Sequence, residues 1–335
     1  MGAHAVNLAA VAIGRNEGER LRLCLQSLLA QNLRIVYVDS GSTDGSADLA
    51  RSMGATVVDL NLATPFTAAR ARNAGAERVF EVWPDTQAVQ FIDGDCEMQP
   101  GWIEAGVKAL TENPRLAVVV GTRAERHPER SIYNKLCDME LDLTPGPITW
   151  FGGDSLIRRS AFHAMQGYDA SLIAGEEPDL AQRLRDDEWE LLALDHPMST
   201  HDAAMTRFSQ WWKRNVRGGH AMAQGAWRHG WRGEPYNHRR VLSVFVWTLG
   251  PLAITVGLAF IIGWWAILAL GLYDLLTLKI AFNARRRGWS LFNTLLWATF
   301  IVIGKWPEAI GVCRFHLGRL RGSAPKIIEH KGLAE

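Results

Sequence analysis

Asp93 and Asp95 flank Gly94 directly after the apolar run AVQFI, so two carboxylates stand one residue apart on a turn. Oxygen ligands at that spacing suit Mg or Mn holding a diphosphate, because hard cations prefer carboxylate and phosphate oxygen. The intervening glycine lets both side chains approach one point while the strand behind them stays buried. A solvated acidic turn has the same composition, so the chemistry depends on what else the chain brings to this point. A second acidic stretch, Gly175-Glu176-Glu177-Pro178-Asp179, offers a carboxylate that could take a proton from a hydroxyl. The same acids would also favour the amino terminus of a helix over DLAQRLRDDEW. Gly152 and Gly153 precede Asp154 in a loop that would let a sugar approach closely, with Asp154 bonding to donor or acceptor hydroxyls; the turn could equally be structural.

The elements that must position these groups are read from the hydrophobic pattern. AVNLAAVAI, RIVYVDS, ATVVDL and AVQFI read as strands. ERLRLCLQSLLAQ, SADLARSMG and the alanine-rich segment 64–80, opening near Thr64-Pro65, read as the helices between them. This alternation predicts an α/β fold with a parallel sheet. Asp93 then falls at the carboxyl end of a strand, the edge at which open α/β sheets bind ligands.

The 335 residues suffice for one large domain or two ordinary ones. Lys plus Arg at 36 against Asp plus Glu at 35 leaves no global basic field, which argues against nucleic acid as a partner. Cys24, Cys96, Cys137 and Cys313 form no CxxC pair, which argues against a zinc cluster or a disulfide framework and fits a reducing compartment. The first apolar run lacks a basic flank and reads as a strand and not a signal peptide, so the soluble part is expected in the cytoplasm.

Residues 241–282 are almost uninterruptedly apolar, with Gly263-Trp264-Trp265 near the middle. That length matches two membrane spans of about 20 residues each joined by a tight turn, with tryptophans in an interface belt. Asp274 and Lys279 in the second half would snorkel or pair with a neighbour. A third apolar stretch, 291–313, contains Lys305, Pro307 and Glu308; it could span, and an interfacial or re-entrant helix fits the charge pattern better. Arg285, Arg286 and Arg287 follow the hairpin, and Arg314, Arg319, Arg321 and Lys326 follow the third stretch, placing both ends in the cytoplasm by the positive-inside tendency. The expected organisation is a catalytic domain over 1–220, an amphipathic linker over 221–240, a transmembrane hairpin over 241–284, and an interfacial or re-entrant helix with a basic tail over 285–335. Such a chain would sit in the inner (cytoplasmic) membrane with its catalytic domain facing the cytoplasm.

In order along the chain, VAIGRNEGERLRLCLQSLLAQ, IVYVDSGSTDGS, AARARNAG, FIDGDCEMQPGW, FGGDSLIRRSAF and GYDASLIAGEEPDLAQRLR together resemble the family-two inverting glycosyltransferases of GT-A fold, over most of residues 7–200. The resemblance implies a transferase that uses Mg or Mn and a nucleotide-diphosphate sugar, a uridine one before others. It implies that Asp39 accepts the imide hydrogen of a uracil, with the turn 40–44 closing over the base; hydrogen bonding alone also fits a capping Asp. Arg72 is implied near the donor diphosphate, with Arg70 as the neighbouring alternative; an exposed helix charge would look the same. Asp95 is implied as the direct metal ligand, with Asp93 reaching the ribose or the metal through water. His201, in STHD, is implied as a further ligand, against a purely structural histidine. At the base the family usually presents Glu-Asp where this chain has Glu-Glu. Aligned on Gly175, Glu177 takes the base position and Glu176 competes with it.

The segment HDAAMTRFSQWWKRNVRGGHAMAQGAWRHGW resembles membrane-associated members that build bacterial exopolysaccharide or other surface glycans. Gln210, Trp211, Trp212 and Arg214 do not have the spacing of the QxxRW signature, which argues against long-chain processive synthesis. Tryptophans beside Lys213, Arg214 and Arg217 suit a helix on the membrane surface as well as a sugar platform. A lipid-linked glycan is the expected acceptor; bare polyprenyl phosphate, or a non-catalytic scaffold of a glycan assembly complex, are the rivals. A dinucleotide-binding dehydrogenase is disfavoured, since GRNEGER stands where GxGxxG would follow the first strand.

Overall fold

The computed structural model describes residues 6–322 except 62, 65 and 142. Lys326 of the expected basic tail and Pro65 of the expected helix start lie outside the described residues. The described residues divide into two compact units, residues 6–129 with 140–204, and residues 130–139 with 205–322.

In the first unit, β1 (Leu8–Gly14), α1 (Glu19–Leu29), β2 (Arg34–Asp39), α2 (Ser46–Ser52), β3 (Thr56–Asp59), α3 (Ala68–Val82) and β4 (Ala88–Asp93) alternate as the pattern predicts. β1 is buried over residues 9–13, the unbroken apolar run of a strand covered on both faces. α3 begins later than expected, at the cap Thr67, whose hydroxyl oxygen accepts from the Arg70 amide at 3.1 Å. The unit continues with β5 (Cys96–Met98), α4 (Trp102–Glu112) and β6 (Leu116–Glu125). After α5 (Ile132–Glu140), most of which belongs to the second unit, come β7 (Gly146–Pro147), β8 (Ser155–Arg158), α6 (Arg159–Ala164), α7 (Glu176–Asp186) and β9 (Glu190–His201).

The sheet order is β3-β2-β1-β4-β8-β6-β9-β5, with β7 on β9. β3, β2, β1 and β4 are parallel, but β8 runs antiparallel to both β4 and β6. The expected parallel sheet is therefore half of a mixed one. β8 enters from the loop of Gly152 and Gly153 at the carboxyl edge of β4, so it must run back against β4. Register aligns the groups of interest: Gly14 is opposite Asp39, Ile13 opposite Asp93, and His201 lies between Cys96 of β5 and Glu125 of β6.

The second unit adds α8 (Phe208–His229), α9 (His238–Ile262), a 3-10 segment (Gly263–Leu270), α10 (Gly271–Arg285) and α11 (Leu291–Leu320). α8, half of which was expected in the catalytic domain, groups with the apolar helices because glycines let it lie against α11. A Cβ on Gly219 would overlap the Glu308 backbone, and one on Gly311 would overlap Val216. The QWWKR segment is part of this packing. Gln210 caps α8, its side-chain oxygen accepting from the Thr206 and Arg207 amides at 2.9 Å. Trp211 is buried among Phe208 and Phe300, so it is a core residue and not a surface platform.

The chain reverses at Gly263, where φ is 62°. Tyr273 Oη donates to the Thr248 carbonyl at 3.0 Å, so the return limb reaches only the middle of α9 before α10 begins. Two segments, His238–Arg285 and Leu291–Leu320, are long and apolar enough to cross a membrane. The second contains the stretch expected in the interface: Lys305 and Glu308 pair at 2.8 Å, which offsets the cost of both charges within the helix.

Packing of α3 on the sheet places the residues discussed next, and Gly75 sets its approach, since a Cβ there would overlap Val11 of β1. Gly75→Ala is expected to cost about 1–3 kcal/mol by overpacking and to lower the melting temperature. An unchanged thermal unfolding curve would show that α3 does not depend on this contact.

Candidate active site

Asp93, at the end of β4, accepts from Arg72 Nη2 at 2.9 Å. Arg72 Nη1 donates to Glu176 Oε1 and Glu177 Oε1, each at 2.9 Å. One guanidinium thus ties the acidic turn after β4 to the first turn of α7. It is 2% exposed, stacked beyond Ala69 and before Ala76 and Val79 on the buried face of α3. Arg70, the sequence alternative, is instead only half-buried and donates to the carbonyls of Asn61 and Thr64. Gly153 is required here, since a Cβ on it would stand 2.9 Å from Asp93 Oδ2 and overlap the Arg72 guanidinium.

The charges in this cluster act on one another. Burial works against the Arg72 cation, but Glu177, Asp93 and Glu176 outweigh it and hold the guanidinium protonated. Burial, then the neighbouring Glu176 charge, push the Glu177 carboxyl up to about 7, with Arg72 opposing both. A carboxylate with that proton affinity is suited to general-base work at neutral pH. Gly175, with φ 83°, starts α7 without a side-chain cap, so Glu176 and Glu177 also lie in its first turn, where negative charge is favoured.

Asp95 and His201 form the neighbouring group. His201 Nε2 is 3.5 Å from Asp95 Oδ2, and its Nδ1 is 2.9 Å from Glu125 Oε2. Burial lowers the histidine's proton affinity, yet Asp95 and Glu125 outweigh it and raise it to about 9. The carboxylate of Glu125 also accepts from the Ala203 amide, which fixes its direction. An imidazole that donates through Nδ1 to a carboxylate presents Nε2 as a ligand, the arrangement common behind metal-bound histidines. Asp95, Cys96 and His201 offer ligand atoms that all lie within 4.8 Å of one another. The donor set fits a divalent ion. Asp93 is outside this group, its carboxylate being turned to Arg72.

Two expected ligand-binding side chains are occupied by the fold. Asp154 is buried: its Oδ1 accepts from the Asp93 amide at 3.0 Å, and its Oδ2 accepts from Ser199 Oγ at 2.6 Å and pairs with Arg123 at 3.2 Å. It therefore holds the acidic turn in place, with both carboxylate oxygens engaged by protein groups where the sequence reading has it bond sugar hydroxyls. Asp39 Oδ2 accepts from the Gly41 and Ser42 amides at 2.9 and 2.8 Å, and Tyr37 donates to Oδ1 at 3.1 Å. It caps its turn at the same sheet edge as Asp93.

Sequence reasoning did not single out Glu125, Arg123, Ser199 or Cys96. RAERH carries no spacing signal for Glu125; only the pairing of β6 with β9 aligns it with His201. Cys96 has no CxxC partner in the sequence, although metal ligands need not be neighbours in sequence.

Residues 11–167 match the family model described as Glycosyl transferase family 2. The chain is 22% identical over 247 residues to Glycosyltransferase AglE of Haloferax volcanii, covering 70% of this chain and 77% of that protein. Mannosyltransferase PcManGT from Pyrobaculum calidifontis, solved in complex with GDP-Man and Mn2+, is similar with a TM-score of 0.56 at 16% identity, over 92% of this chain and 87% of that one. GalNAc-T7, solved with UDP, GalNAc and Mn2+, is similar with a TM-score of 0.50 at 15% identity, over 75% of this chain and 51% of that one. The likeness to these structures shows the GT-A fold.

Removing Arg72 would leave three carboxylates without their shared countercharge. Arg72→Gln is expected to cost about 3–5 kcal/mol, read by denaturant unfolding. Because the Glu177 pKa is raised in the folded state to about 7, its share of stability is present at low pH and lost as pH rises through that value. Arg72 lowers the Glu177 value, so without it that loss continues to higher pH and the deficit should be larger at about pH 8 than at about pH 5. An equal deficit at both would sever the link between Arg72 and the glutamates.

Proposed function

We propose that the protein, whose residues 11–167 match the Glycosyl transferase family 2 model on a GT-A fold, is an inverting, metal-dependent glycosyltransferase that moves a sugar from a nucleoside-diphosphate donor to a lipid-linked acceptor in surface-glycan synthesis. The observation that carries the reading is Glu177, a carboxylate with its proton affinity raised to about 7, tied through Arg72 to the turn that bears Asp95. GDP-Man with Mn2+ in the Pyrobaculum mannosyltransferase, and UDP with Mn2+ in GalNAc-T7, support a nucleotide donor and a divalent ion. Those donors differ in their base; uridine diphosphate is preferred here on the resemblance carried by IVYVDSGSTDGS.

Glu177 takes the proton of the acceptor hydroxyl as its oxygen attacks the anomeric carbon. The bond from that carbon to the donor phosphate oxygen breaks, its electron pair leaves with the nucleoside diphosphate, and the configuration inverts. Arg72 orients Glu177 and opposes the burial that would keep it protonated. Asp95 and His201 would hold the ion, with Asp93 on the ribose; when bound, the ion supplies Lewis-acid stabilisation of the departing diphosphate. Glu125 fixes the imidazole and Asp154 fixes the backbone of Asp93. His238–Arg285 and Leu291–Leu320 support attachment to the inner membrane and hence a lipid-borne acceptor. Arg314, Arg319 and Arg321 at the end of α11 support a cytoplasmic catalytic side.

Purified protein given UDP- or GDP-sugars, Mn or Mg, and either polyprenyl phosphate or lipid-linked oligosaccharide should form a glycosylated lipid; product mass identifies the acceptor class. Asp95→Asn and Glu177→Gln should each lower turnover, the latter by roughly 10²–10⁴-fold. The rate should rise with pH through about 7, since the base works deprotonated, and Glu177→Gln should abolish that rise. Unaltered glycan production in cells carrying both variants would instead favour a scaffold.

A further inference from the structure

Building on the metal-dependent reading above, we propose that Cys96 is a sulfur ligand of the same ion, so that the centre is a carboxylate, imidazole and thiolate site that prefers thiophilic divalent ions to Mg. Cys96 and His201 are directly opposed across the antiparallel pair β5 and β9, so their side chains leave the sheet on the same face. Asp95 precedes Cys96 in the turn between β4 and β5, where the strict alternation of a strand does not apply, and it shares that face: its Oδ1 is 3.8 Å from Cys96 Sγ. One carboxylate oxygen of Asp95, the Cys96 sulfur and a His201 ring nitrogen all lie within 4.8 Å of one another. Two bonds of about 2.0–2.3 Å span up to about 4.6 Å, so the 3.5 Å from Asp95 Oδ2 to His201 Nε2 and the 3.8 Å from Asp95 Oδ1 to Cys96 Sγ are within reach of one ion.

The surroundings point the same way. Cys96 is 1% exposed, so its sulfur is not placed for reaction with solutes. Arg123 Nη2 lies 3.6 Å from that sulfur, a hydrogen-bond donor behind the ligand of the kind that orients metal-bound groups. Ligation forms the sulfur–metal bond and sends the thiol proton to solvent. A sulfur donor beside one carboxylate and one imidazole moves the preference from hard oxygen-seeking ions toward Zn, Co or Cd, with Mn between. Cys24 is the internal control: it is also buried, but its Sγ is directed at the Asp93 carbonyl, 3.8 Å away.

The test is titration of the full-length protein with Co2+ without donor, read by the near-ultraviolet sulfur-to-cobalt charge-transfer band. The band is expected in the wild type and in Cys24→Ser and absent from Cys96→Ser. The preference for Cd2+ over Mn2+ should fall by roughly tenfold or more in Cys96→Ser. Bound Co2+, seen by its visible bands, without a charge-transfer band in the wild type overturns sulfur ligation and leaves the Asp95 and His201 site standing. Failure to bind Co2+ even with UDP present overturns the metal-dependent reading as well. Should Cys96→Ser not fold, the wild-type spectrum beside that of Cys24→Ser decides.

Discussion

A buried guanidinium shared by three carboxylates is the interaction on which the first unit's chemistry depends. Arg72 comes from α3, Asp93 from the end of β4, and Glu176 and Glu177 from α7, so one side chain joins elements more than a hundred positions apart in sequence. Burying a cation is costly, and it is tolerated only with close, well-oriented partners. Here the partners outnumber it. Burial, and then the carboxylate charge that one cation cannot fully offset, push the Glu177 carboxyl up to about 7. The constraint that stabilises the junction therefore also prepares the base.

The second group is organised by the sheet and not by a single side chain. His201 is the last residue of β9, and its strand neighbours are Cys96 on one side and Glu125 on the other. Register alone thus supplies a hydrogen-bond acceptor for Nδ1 and a sulfur beside Nε2. Asp154 links the two groups: it grips the Asp93 amide from one direction and Ser199 of β9 from the other. A shift of β9 by one residue would turn His201 to the opposite face and lose all of these contacts.

Much of this was legible before any coordinates. The alternation of strands and helices through β4, and the placement of Asp39 and Asp93 at strand ends, follow from apolar runs that tertiary packing had no reason to override. Arg72 was ambiguous with Arg70 because both lie in ARARNAG and helix rotation decides which is buried. A signal was nevertheless present: positions 69, 72, 76 and 79 make a helical stripe of Ala, Arg, Ala and Val, and a lone charge in such a stripe needs buried partners. The antiparallel entry of β8 left no such mark, since a four-residue strand reads alike in either direction. Nor did the inward turn of Asp154, which depends on partners in β6 and β9. In the second unit hydropathy located the apolar segments, but the return after Gly263, with Tyr273 donating to the Thr248 carbonyl, is not announced by any pattern.

The Glu-Glu pair at the start of α7 becomes intelligible in these terms. A shorter carboxylate at 177 would need the helix to start nearer Asp93 to keep its bond to Arg72. With glutamate, both acids reach the same Nη1 from consecutive positions in one turn. Consecutive residues of a helix diverge by about 100°, so convergence on one nitrogen requires side chains long enough to bend back toward it. The additional methylene is thus a geometric condition for the shared guanidinium. The departure from Glu-Asp and the burial of Arg72 are then two aspects of one arrangement.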